Sequence, residues 1–299
     1  MIYTLSLNPA IDYCVKPSRF DIGEINSCDW SRVYPGGKGV NVSRVLCELG
    51  ADTVALGFIA GFTGDALQQE LYRLGIRTDF VRLLEGNTRI NIKIRCGKET
   101  DINCNGPEID LESLEKLYDK LKGLKDRDVL VLSGSLPNSL PENTYENILE
   151  RIKGQGVTVV ADTCGRKLLG ILKHHPFLIK PNHSELGEIF DTSANTVEEI
   201  LPLARRLQTM GAKNVLISRA ADGAVLLTES GKVLEAPLFK GIAVNTVGAG
   251  DSMLAGFLYS FYKQGDMEAA LRLAAACGAA TAFSDDLANK EDIYRLLAD

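Results

Sequence analysis

Short, almost continuously apolar segments alternate with amphipathic segments along most of this chain. Residues 129–132 read Val-Leu-Val-Leu, and residues 157–161 and 214–218 are nearly as apolar, whereas the segments between them carry apolar residues at helical spacing. Strands that are apolar on both faces are typical of parallel sheets with helices packed on both sides. The pattern therefore predicts an α/β protein, a three-layer α/β/α sandwich around a mostly parallel central sheet.

A different pattern interrupts this alternation between residues 80 and 104. From Ile90 to Arg95, isoleucines alternate with polar residues, which is the pattern of a strand with one polar face. We predict that parts of 11–34 and 80–104, including a strand over 80–84, form a small β-sheet lid on a single domain that spans residues 1–299. The polar face of this lid has two interpretations: it lines a ligand site, or it pairs with a second subunit.

Composition argues against several classes of function. The net charge is −6 with no basic block, which argues against a nucleic-acid or membrane-surface partner. No run approaches the roughly 20 apolar residues of a membrane-spanning helix. The first residues lack a basic leader, so we expect a cytoplasmic protein. The seven cysteines form no Cys-x-x-Cys pair and the three histidines lack metal-ligand spacing, which indicates reduced thiols rather than disulfides or a zinc site.

The most informative motif is Thr-Val-Gly-Ala-Gly-Asp-Ser at 246–252. It joins a β-branched run at 242–247 to a helix-periodic segment, which predicts a strand, a glycine turn at 248–250 and a helix N-terminus. Bare backbone N–H groups at such a helix end bind anions, phosphates in particular. Asp251 would then be placed to take a proton from an attacking hydroxyl. The alternative is that Asp251 only caps the helix and the glycines only make the turn.

Polar residues also follow other predicted strands, at the sheet edge where α/β proteins bind ligands. They are Asp12, Ser133 and Ser135, then Lys180, Asn182 and Glu185, and the stretch Ser218–Gly223, with Gly-Gly-Lys-Gly at 36–39 opening a helix. Singly, each is also explained as a turn, a helix cap or a strand end. Together they match the needs of a phosphoryl transferase, with amides and lysines for phosphates and with Asn182 and Glu185 to hold a magnesium ion through water.

Two longer motifs carry a family resemblance. They are Pro-Gly-Gly-Lys-Gly-Val-Asn-Val-Ser-Arg at 35–44 and Asn-Thr-Val-Gly-Ala-Gly-Asp-Ser at 245–252, and both resemble the signatures of the phosphofructokinase B (ribokinase-like) carbohydrate kinases. The resemblance covers essentially the whole chain. Within the family, the segments at 7–12, 88–93, 99–103 and 280–284 are most similar to members that phosphorylate fructose 1-phosphate. The resemblance implies a ribokinase-like fold with a β-sheet lid that is often paired between two subunits, and ATP and magnesium as cofactors.

The resemblance also implies roles for individual residues. Asp251 would accept the proton of the sugar hydroxyl, and the anion hole would be made by the amides of Gly248, Ala249 and Gly250. Sugar hydroxyls would be held by Asp12, Gly37 and Asn41, and the phosphate already on the sugar by Lys38, Arg89 and Ser135. The triphosphate and magnesium would face Lys180, Asn182 and Glu185. The nucleotide would lie over the loop of Ser218, Arg219, Ala220, Ala221, Asp222 and Gly223.

The chain departs from the family pattern at two places. Ala220 and Ala221 stand in the nucleotide loop where one glycine is usual, and Ala288 stands where a glycine is common. Alanine adds a methyl group and disfavours positive φ angles. These departures predict an altered approach of the nucleotide to this loop.

The sequence therefore predicts an ATP-dependent kinase, a homodimer through its lid, that phosphorylates the 6-hydroxyl of fructose 1-phosphate. The nearest alternative is a tagatose-6-phosphate kinase. Fructose-6-phosphate and nucleoside kinases of the family fit less well, because many fructose-6-phosphate members lack the lysine at position 38. An alternative from another class is a non-catalytic sugar-phosphate sensor, against which the intact Asp251 speaks, since a pure binder needs no base there.

Overall fold

The computed structural model describes residues 1–298, and for residues 98 and 99 it describes the backbone alone. The strands are β1 (Ile2–Ser6), β2 (Ala10–Pro17), β3 (Cys28–Gly36), β4 (Thr53–Ala60), β5 (Arg77–Thr78), β6 (Val81–Leu83), β7 (Arg89–Cys96), β8 (Lys98–Ile102), β9 (Val129–Ser133), β10 (Thr158–Asp162), β11 (Leu178–Ile179), β12 (Asn214–Ser218), β13 (Ala224–Leu227) and β14 (Val233–Glu235). The helices are α1 (Lys38–Leu49), α2 (Gly61–Arg73), α3 (Leu111–Lys122), α4 (Thr144–Arg151), α5 (Gly165–Leu172), α6 (His183–Phe190), α7 (Val197–Thr209), α8 (Ala249–Gln264), α9 (Met267–Ala282) and α10 (Lys290–Ala298).

The central sheet has the order β14-β13-β12-β11-β10-β9-β1-β4-β5, with β6 also paired to β4. All neighbours from β12 through β5 pair in parallel, whereas the hairpin of β13 and β14 adds two antiparallel strands at one edge. Because the parallel strands point the same way, their carboxyl ends all meet at one edge of the sheet. That edge carries the polar residues discussed below.

Side chains on opposite faces of the central strands enter different cores. In β9, Leu130 and Leu132 join the core made with α3, α4, α5, α6 and α7, while Val129 and Val131 join the core made with α1, α8, α9 and α10. Burying each such side chain contributes roughly 1.5–3 kcal/mol to folding. Both faces are covered, which confirms the three-layer α/β/α arrangement. No helix within residues 1–298 is long and apolar enough to cross a bilayer.

A second, small sheet has the order β3-β2-β7-β8. β2 pairs antiparallel with β3 and parallel with β7, and β7 pairs antiparallel with β8. Its register places Asp12 beside Asn91 on one side and Tyr34 on the other, so these three side chains share a face of the sheet.

The predicted strand at 80–84 does not belong to the small sheet. Residues 81–83 form β6, which pairs in parallel with the carboxyl half of β4 in the central sheet. Val81 and Leu83 enter the main core while Arg82 between them is exposed. The prediction of a strand is confirmed. The alternation of apolar and polar residues does not specify which of the two sheets the strand joins.

The predicted strand over 242–247 is wrong. This segment is irregular, and Ile242 is 84% exposed. The backbone N–H groups of Val244 and Asn245 both donate to the carbonyl of Ala282, at the end of α9. These two N–H groups are therefore not available to a neighbouring strand, and Ile242 is not buried. A β-branched composition is not sufficient for a strand here.

Candidate active site

A cavity of about 610 Å³ lies at the carboxyl edge of the central sheet, with one wall formed by the small sheet. Most of the residues predicted for the site line it: Asp12, Gly37, Lys38, Asn41, Arg89, Ser135, Lys180, Asn182, Glu185, Ser218, Gly248, Gly250 and Asp251. Six residues to which the resemblance gave a role are outside this lining: Arg219, Ala220, Ala221, Asp222, Gly223 and Ala249. Ser133, predicted from its place at the end of a strand, is outside it as well.

The N-terminus of α8 faces the cavity without a side-chain cap. Gly248 precedes the helix in the left-handed conformation, with φ of 80°, and α8 begins at Ala249. The first intrahelical bond of this turn runs from the Ser252 N–H to the Gly248 carbonyl. The amides of Gly250 and Asp251 precede it, so they have no acceptor within the helix and can bind an anion. The N–H of Ala249, which was predicted for the anion hole, instead donates to the carbonyl of Thr246 at 3.4 Å.

At both glycines of this turn a Cβ would meet the end of a neighbouring side chain, and the positive φ of Gly248 also favours glycine. A Cβ on Gly248 would lie 2.4 Å from Cδ2 of Leu287, and one on Gly250 would lie 3.1 Å from Nζ of Lys180. Gly250 therefore lets the Lys180 ammonium come against the helix end, where it adds to the positive field of the amides.

Asp251 is buried in the first turn of α8, and its Oδ2 accepts a 2.8 Å hydrogen bond from Nδ2 of Asn41. Burial, and next the charge of Asp162, raise the pKa of the Asp251 carboxyl to about 6, against the opposing effects of Lys38, Asn41 and Lys180. Most of the carboxyl is ionised at neutral pH, yet it is more basic than an exposed aspartate. This is the property of a general base.

Asp162 is the main residue of the site that the sequence analysis missed. It ends β10, its side chain is fully buried, and its Oδ1 lies 3.0 Å from Nζ of Lys38 and 3.4 Å from Nζ of Lys180. Burial alone would raise its pKa, but the two ammonium groups outweigh burial and lower it. Its position directly after an apolar strand was the available signal, the same signal that singled out Asp12.

The small sheet turns its polar face toward the cavity. Asn91 Nδ2 donates a 2.8 Å bond to Oδ1 of Asp12, and Asn91 and Lys93 both line the cavity. A Cβ on Gly36 would lie 2.4 Å from the Asp12 carboxyl, so glycine is needed where β3 passes this side chain. Of the two interpretations of the polar face, the structure supports the one in which it lines a ligand site.

Arg89 lies at the junction of the two sheets. Its Nε donates to the carbonyl of Asn8 at 3.1 Å, and burial lowers the pKa of its guanidinium. The structure pairs Lys38 with Asp162, and its Nζ also lies 4.0 Å from Oε1 of Glu185. Other polar residues that reach the cavity had not been predicted: Ser6, Asn8, Asn103, Thr163, Cys164 and Lys167.

Asn182 and Glu185 form a capping box at the start of α6. Asn182 Oδ1 accepts from the Glu185 N–H at 2.7 Å, and Glu185 Oε2 accepts from the Asn182 N–H at 2.9 Å. Oε1 of Glu185 remains beside the cavity. Among residues 1–298 no group of three or more histidine, cysteine or acidic residues is arranged around a metal site. The capping box engages Oδ1 of Asn182 and Oε2 of Glu185, and Oε1 of Glu185 lies 4.0 Å from Nζ of Lys38. With so few protein oxygens available, a magnesium ion here would be held mainly by phosphate and water.

In the loop after β12, Ala220 adopts a backbone conformation that alanine disfavours. Ala220 has φ of 50°, in the left-handed region, and Gly223 has φ of 80°. The Arg219 N–H donates to the Gly223 carbonyl at 2.8 Å and closes the turn. Ser218 is the residue of this loop that reaches the cavity.

Comparison with known proteins identifies close relatives. A sequence model described as pfkB family carbohydrate kinase matches residues 5–292. The 1-phosphofructokinase of Bacillus subtilis is 45% identical over 297 residues, which are 99% of this chain and 97% of the relative. The D-tagatose-1-phosphate kinase of Bacillus licheniformis is 39% identical over 288 residues, 96% of this chain and 94% of the relative.

A solved structure has the same architecture. Phosphofructokinase-2 of Escherichia coli, in complex with substrates and products, superposes with a TM-score of 0.94 over 99% of this chain and 98% of that chain. The two sequences are 24% identical, so this likeness establishes the ribokinase-like fold and no more.

Proposed function

Because the chain belongs to the pfkB family of carbohydrate kinases, we propose that it transfers the γ-phosphoryl group of ATP to the 6-hydroxyl of fructose 1-phosphate. The products are fructose 1,6-bisphosphate and ADP. The observation that carries the proposal is the buried Asp251 carboxylate beside the uncapped N-terminus of α8. The choice of sugar phosphate rests on the 45% identity to an enzyme named 1-phosphofructokinase.

The chemistry follows from the position of Asp251. The sugar oxygen attacks the γ-phosphorus while its proton passes to Asp251, and the bond from phosphorus to the β–γ bridging oxygen breaks, which leaves ADP. The amides of Gly250 and Asp251 bind the charge on the transferring phosphoryl oxygens. Lys180, which lies against Gly250, adds a fixed positive charge at the same point.

The sugar phosphate is oriented by the walls of the cavity. Asp12 accepts hydrogen bonds from its hydroxyls, Asn41 binds them through its side-chain amide, and Gly37 lets the ring approach the start of α1. Arg89 and Ser135 bind the phosphate that the sugar already carries. Lys38 was expected to share this role, but its ion pair with Asp162 draws its ammonium group toward Lys180 and Asp251. Closure of the small sheet as a lid excludes water, so that the phosphoryl group goes to the sugar rather than to solvent.

The nucleotide lies on the other side of Asp251, with ATP as the donor and with its phosphates toward Lys180. Asn182 and Glu185 would hold a magnesium ion through water, and the ion would supply positive charge that offsets the charge of the phosphates. Use of ATP fits a cytoplasmic location. The loop Ser218–Gly223 supports the nucleotide beyond its phosphates.

The small sheet also supports a homodimer, by its outer face. Tyr13, Val33, Ile90 and Ile102 share the face opposite the cavity and are all exposed. Exposed apolar side chains that are contiguous on one sheet face are typical of subunit interfaces. Pairing of two lids through these side chains buries this surface.

A second acceptor is favoured by one observation, the 39% identity to D-tagatose-1-phosphate kinase. Tagatose 1-phosphate differs from fructose 1-phosphate in configuration at one ring carbon and offers the same 6-hydroxyl. The tagatose 6-phosphate predicted from sequence as the nearest alternative would instead present its 1-hydroxyl, and it is not what this relative's name specifies.

The test is ADP formation from ATP and magnesium with each sugar phosphate offered separately: fructose 1-phosphate, tagatose 1-phosphate, tagatose 6-phosphate and fructose 6-phosphate. We expect fructose 1-phosphate to have the highest kcat/KM. A higher kcat/KM for tagatose 1-phosphate would identify that sugar as the acceptor, and the proposed mechanism would still stand. Absence of turnover with all four would refute the proposed function.

A further inference from the structure

Two buried carboxylates lie at this edge of the sheet, but only Asp251 lines the cavity, where it is placed to take the proton. Asp251 stands at the anion hole, where Asn41 contacts it. Asp162 stands at the end of β10 between two lysines. The family resemblance gave a role to Asp251 and none to Asp162.

We propose that Asp162 is a positioning residue whose carboxylate holds the ammonium groups of Lys38 and Lys180 at the point where the phosphoryl group passes from nucleotide to sugar. The inference rests on the proposed kinase function, since it concerns the site of transfer.

The geometry shows how one carboxylate can fix both lysines. Lys38 comes from the first residue of α1 and Lys180 from the loop after β11, and both contact the same oxygen, Oδ1 of Asp162. Two ammonium groups so close to one atom would repel each other without the negative charge between them. The Lys180 ammonium also lies against Gly250 in the anion hole, so its position is set from both sides.

Burial strengthens the interaction of the Asp162 carboxylate with the neighbouring charges. The Asp162 side chain is 1% exposed and that of Lys180 is 5% exposed, whereas that of Lys38 is 36% exposed. A buried charge interacts strongly with its neighbours, because solvent does not screen it. The lysines hold Asp162 ionised, so it does not compete with Asp251 for the proton of the sugar hydroxyl.

The charges of the four groups balance before transfer. Asp162 and Asp251 carry two negative charges, and Lys38 and Lys180 carry two positive charges. When Asp251 takes the hydroxyl proton, the net charge of these four side chains rises by one. The negatively charged phosphoryl group reaches the anion hole at the same moment. Asp162 keeps both lysines there at that moment, although it does not itself line the cavity.

The experiment compares Asp162→Asn with the wild type and with Asp128→Asn. Asp128 is a matched control because it is also buried, at the opposite end of the sheet, where it pairs with the N-terminal amine and accepts a bond from the Lys125 N–H. We expect Asp162→Asn to lower kcat by about 100-fold with the KM for the sugar phosphate within about threefold. Asp128→Asn should lose comparable thermal stability with kcat unchanged.

The pH profile separates positioning from a merely structural role. The groups that face Asp251 are Asp162 from β10, Lys38 and Asn41 from α1, and Lys180 after β11. Removing the Asp162 charge should move the acid limb of kcat/KM to lower pH, because one negative neighbour is lost and the two lysines remain. A kcat within about threefold of wild type, or an unmoved acid limb, would overturn the inference.

Two further measurements keep the inference testable. If Asp162→Asn does not fold, the second variant is Asp162→Glu, which retains the charge and displaces the lysines. Its kcat should fall while the acid limb stays, and a wild-type kcat in that variant would count against the inference.

If the wild type turns over no sugar phosphate, the proposed function fails. A carboxyl ¹³C NMR titration of Asp251 then still tests whether the charge of Asp162 affects the pKa of Asp251. An identical Asp251 pKa in wild type and Asp162→Asn would then overturn it.

Discussion

Nδ2 of Asn41 donates a 2.8 Å hydrogen bond to Oδ2 of Asp251, which joins the first helix of the chain to the first turn of α8. A hydrogen bond to the charged form of a carboxyl lowers its pKa, whereas burial and the charge of Asp162 raise it. The balance leaves the pKa of Asp251 at about 6. The carboxylate is thus both available and basic at neutral pH.

The first prediction concerns this balance. kcat/KM should fall as the pH drops through about 6, because protonated Asp251 cannot accept the hydroxyl proton. In Asn41→Ala the hydrogen bond that favours the charged form is lost, so the acid limb should move to higher pH. The measurement is kcat/KM from pH 5 to 8, a range of roughly three units around the expected pKa.

Ser43→Ala is the matched control for this variant. Ser43 is buried in the same helix and bonds with Thr4 and Thr53, away from Asp251. Its loss should lower stability and leave the acid limb in place. An acid limb that is the same in Asn41→Ala as in wild type would contradict the account.

The second prediction concerns the anion hole. Gly248→Ala should lower kcat by about 100-fold, because its Cβ would lie 2.4 Å from Leu287 and its φ of 80° is unfavourable for alanine. Gly265→Ala is the control: it ends the same helix with φ of 72° and has no heavy atom within 4 Å of the added Cβ. Kinetics and thermal melting of both variants decide. Equal kcat in the two would show that the turn at 248 is not part of the catalytic site.

The third prediction concerns the nucleotide loop. Ala220→Gly should raise the free energy of unfolding by about 1 kcal/mol, because φ of 50° is strained for alanine and not for glycine. Ala221→Gly, where φ is not positive, should instead lower it by about 0.5–1 kcal/mol through backbone entropy. Urea unfolding measures both. Destabilisation by Ala220→Gly would contradict the strain assigned to this turn.

The fourth prediction concerns the subunit interface. Val33→Asp, at a residue 54% exposed on the outer face of the small sheet, should convert a dimer to a monomer, because it places a charge in the apolar contact. Leu84→Asp is the control, since Leu84 is also exposed but lies outside that sheet. Sedimentation measures the mass of each. A monomeric wild type, or a Val33→Asp variant that remains a dimer, would remove the proposed interface.

The parts of the fold that the sequence revealed are those in which local pattern and tertiary environment agree. Residues 129–132 are apolar at every position because both faces of β9 are buried, and Gly248 has the positive φ that favours glycine. The run at 242–247 has the composition of a strand, but strand pairing needs a neighbouring edge, and its N–H groups reach the end of α9 instead.

The site was incompletely predicted for a related reason. In the sequence, Asp162 is a single aspartate at the end of a predicted strand, with no motif around it. Its role depends on Lys38 and Lys180, which contact it only in the folded chain. The sequence likewise offered two uses for the polar face of β7. The register of β2 with β7 places Asn91 beside Asp12, and so the polar face of β7 lines the cavity.

The most direct test of the central claim is the kcat of Asp251→Asn with ATP, magnesium and fructose 1-phosphate, measured together with the sugar-phosphate Kd by calorimetry. The variant keeps the shape of the side chain and its bond to Asn41 but cannot accept a proton. The account predicts that kcat falls by about 10³-fold or more while Kd stays within about threefold. An unchanged kcat would contradict the assignment of Asp251 as the base and, with it, the mechanism proposed for this site.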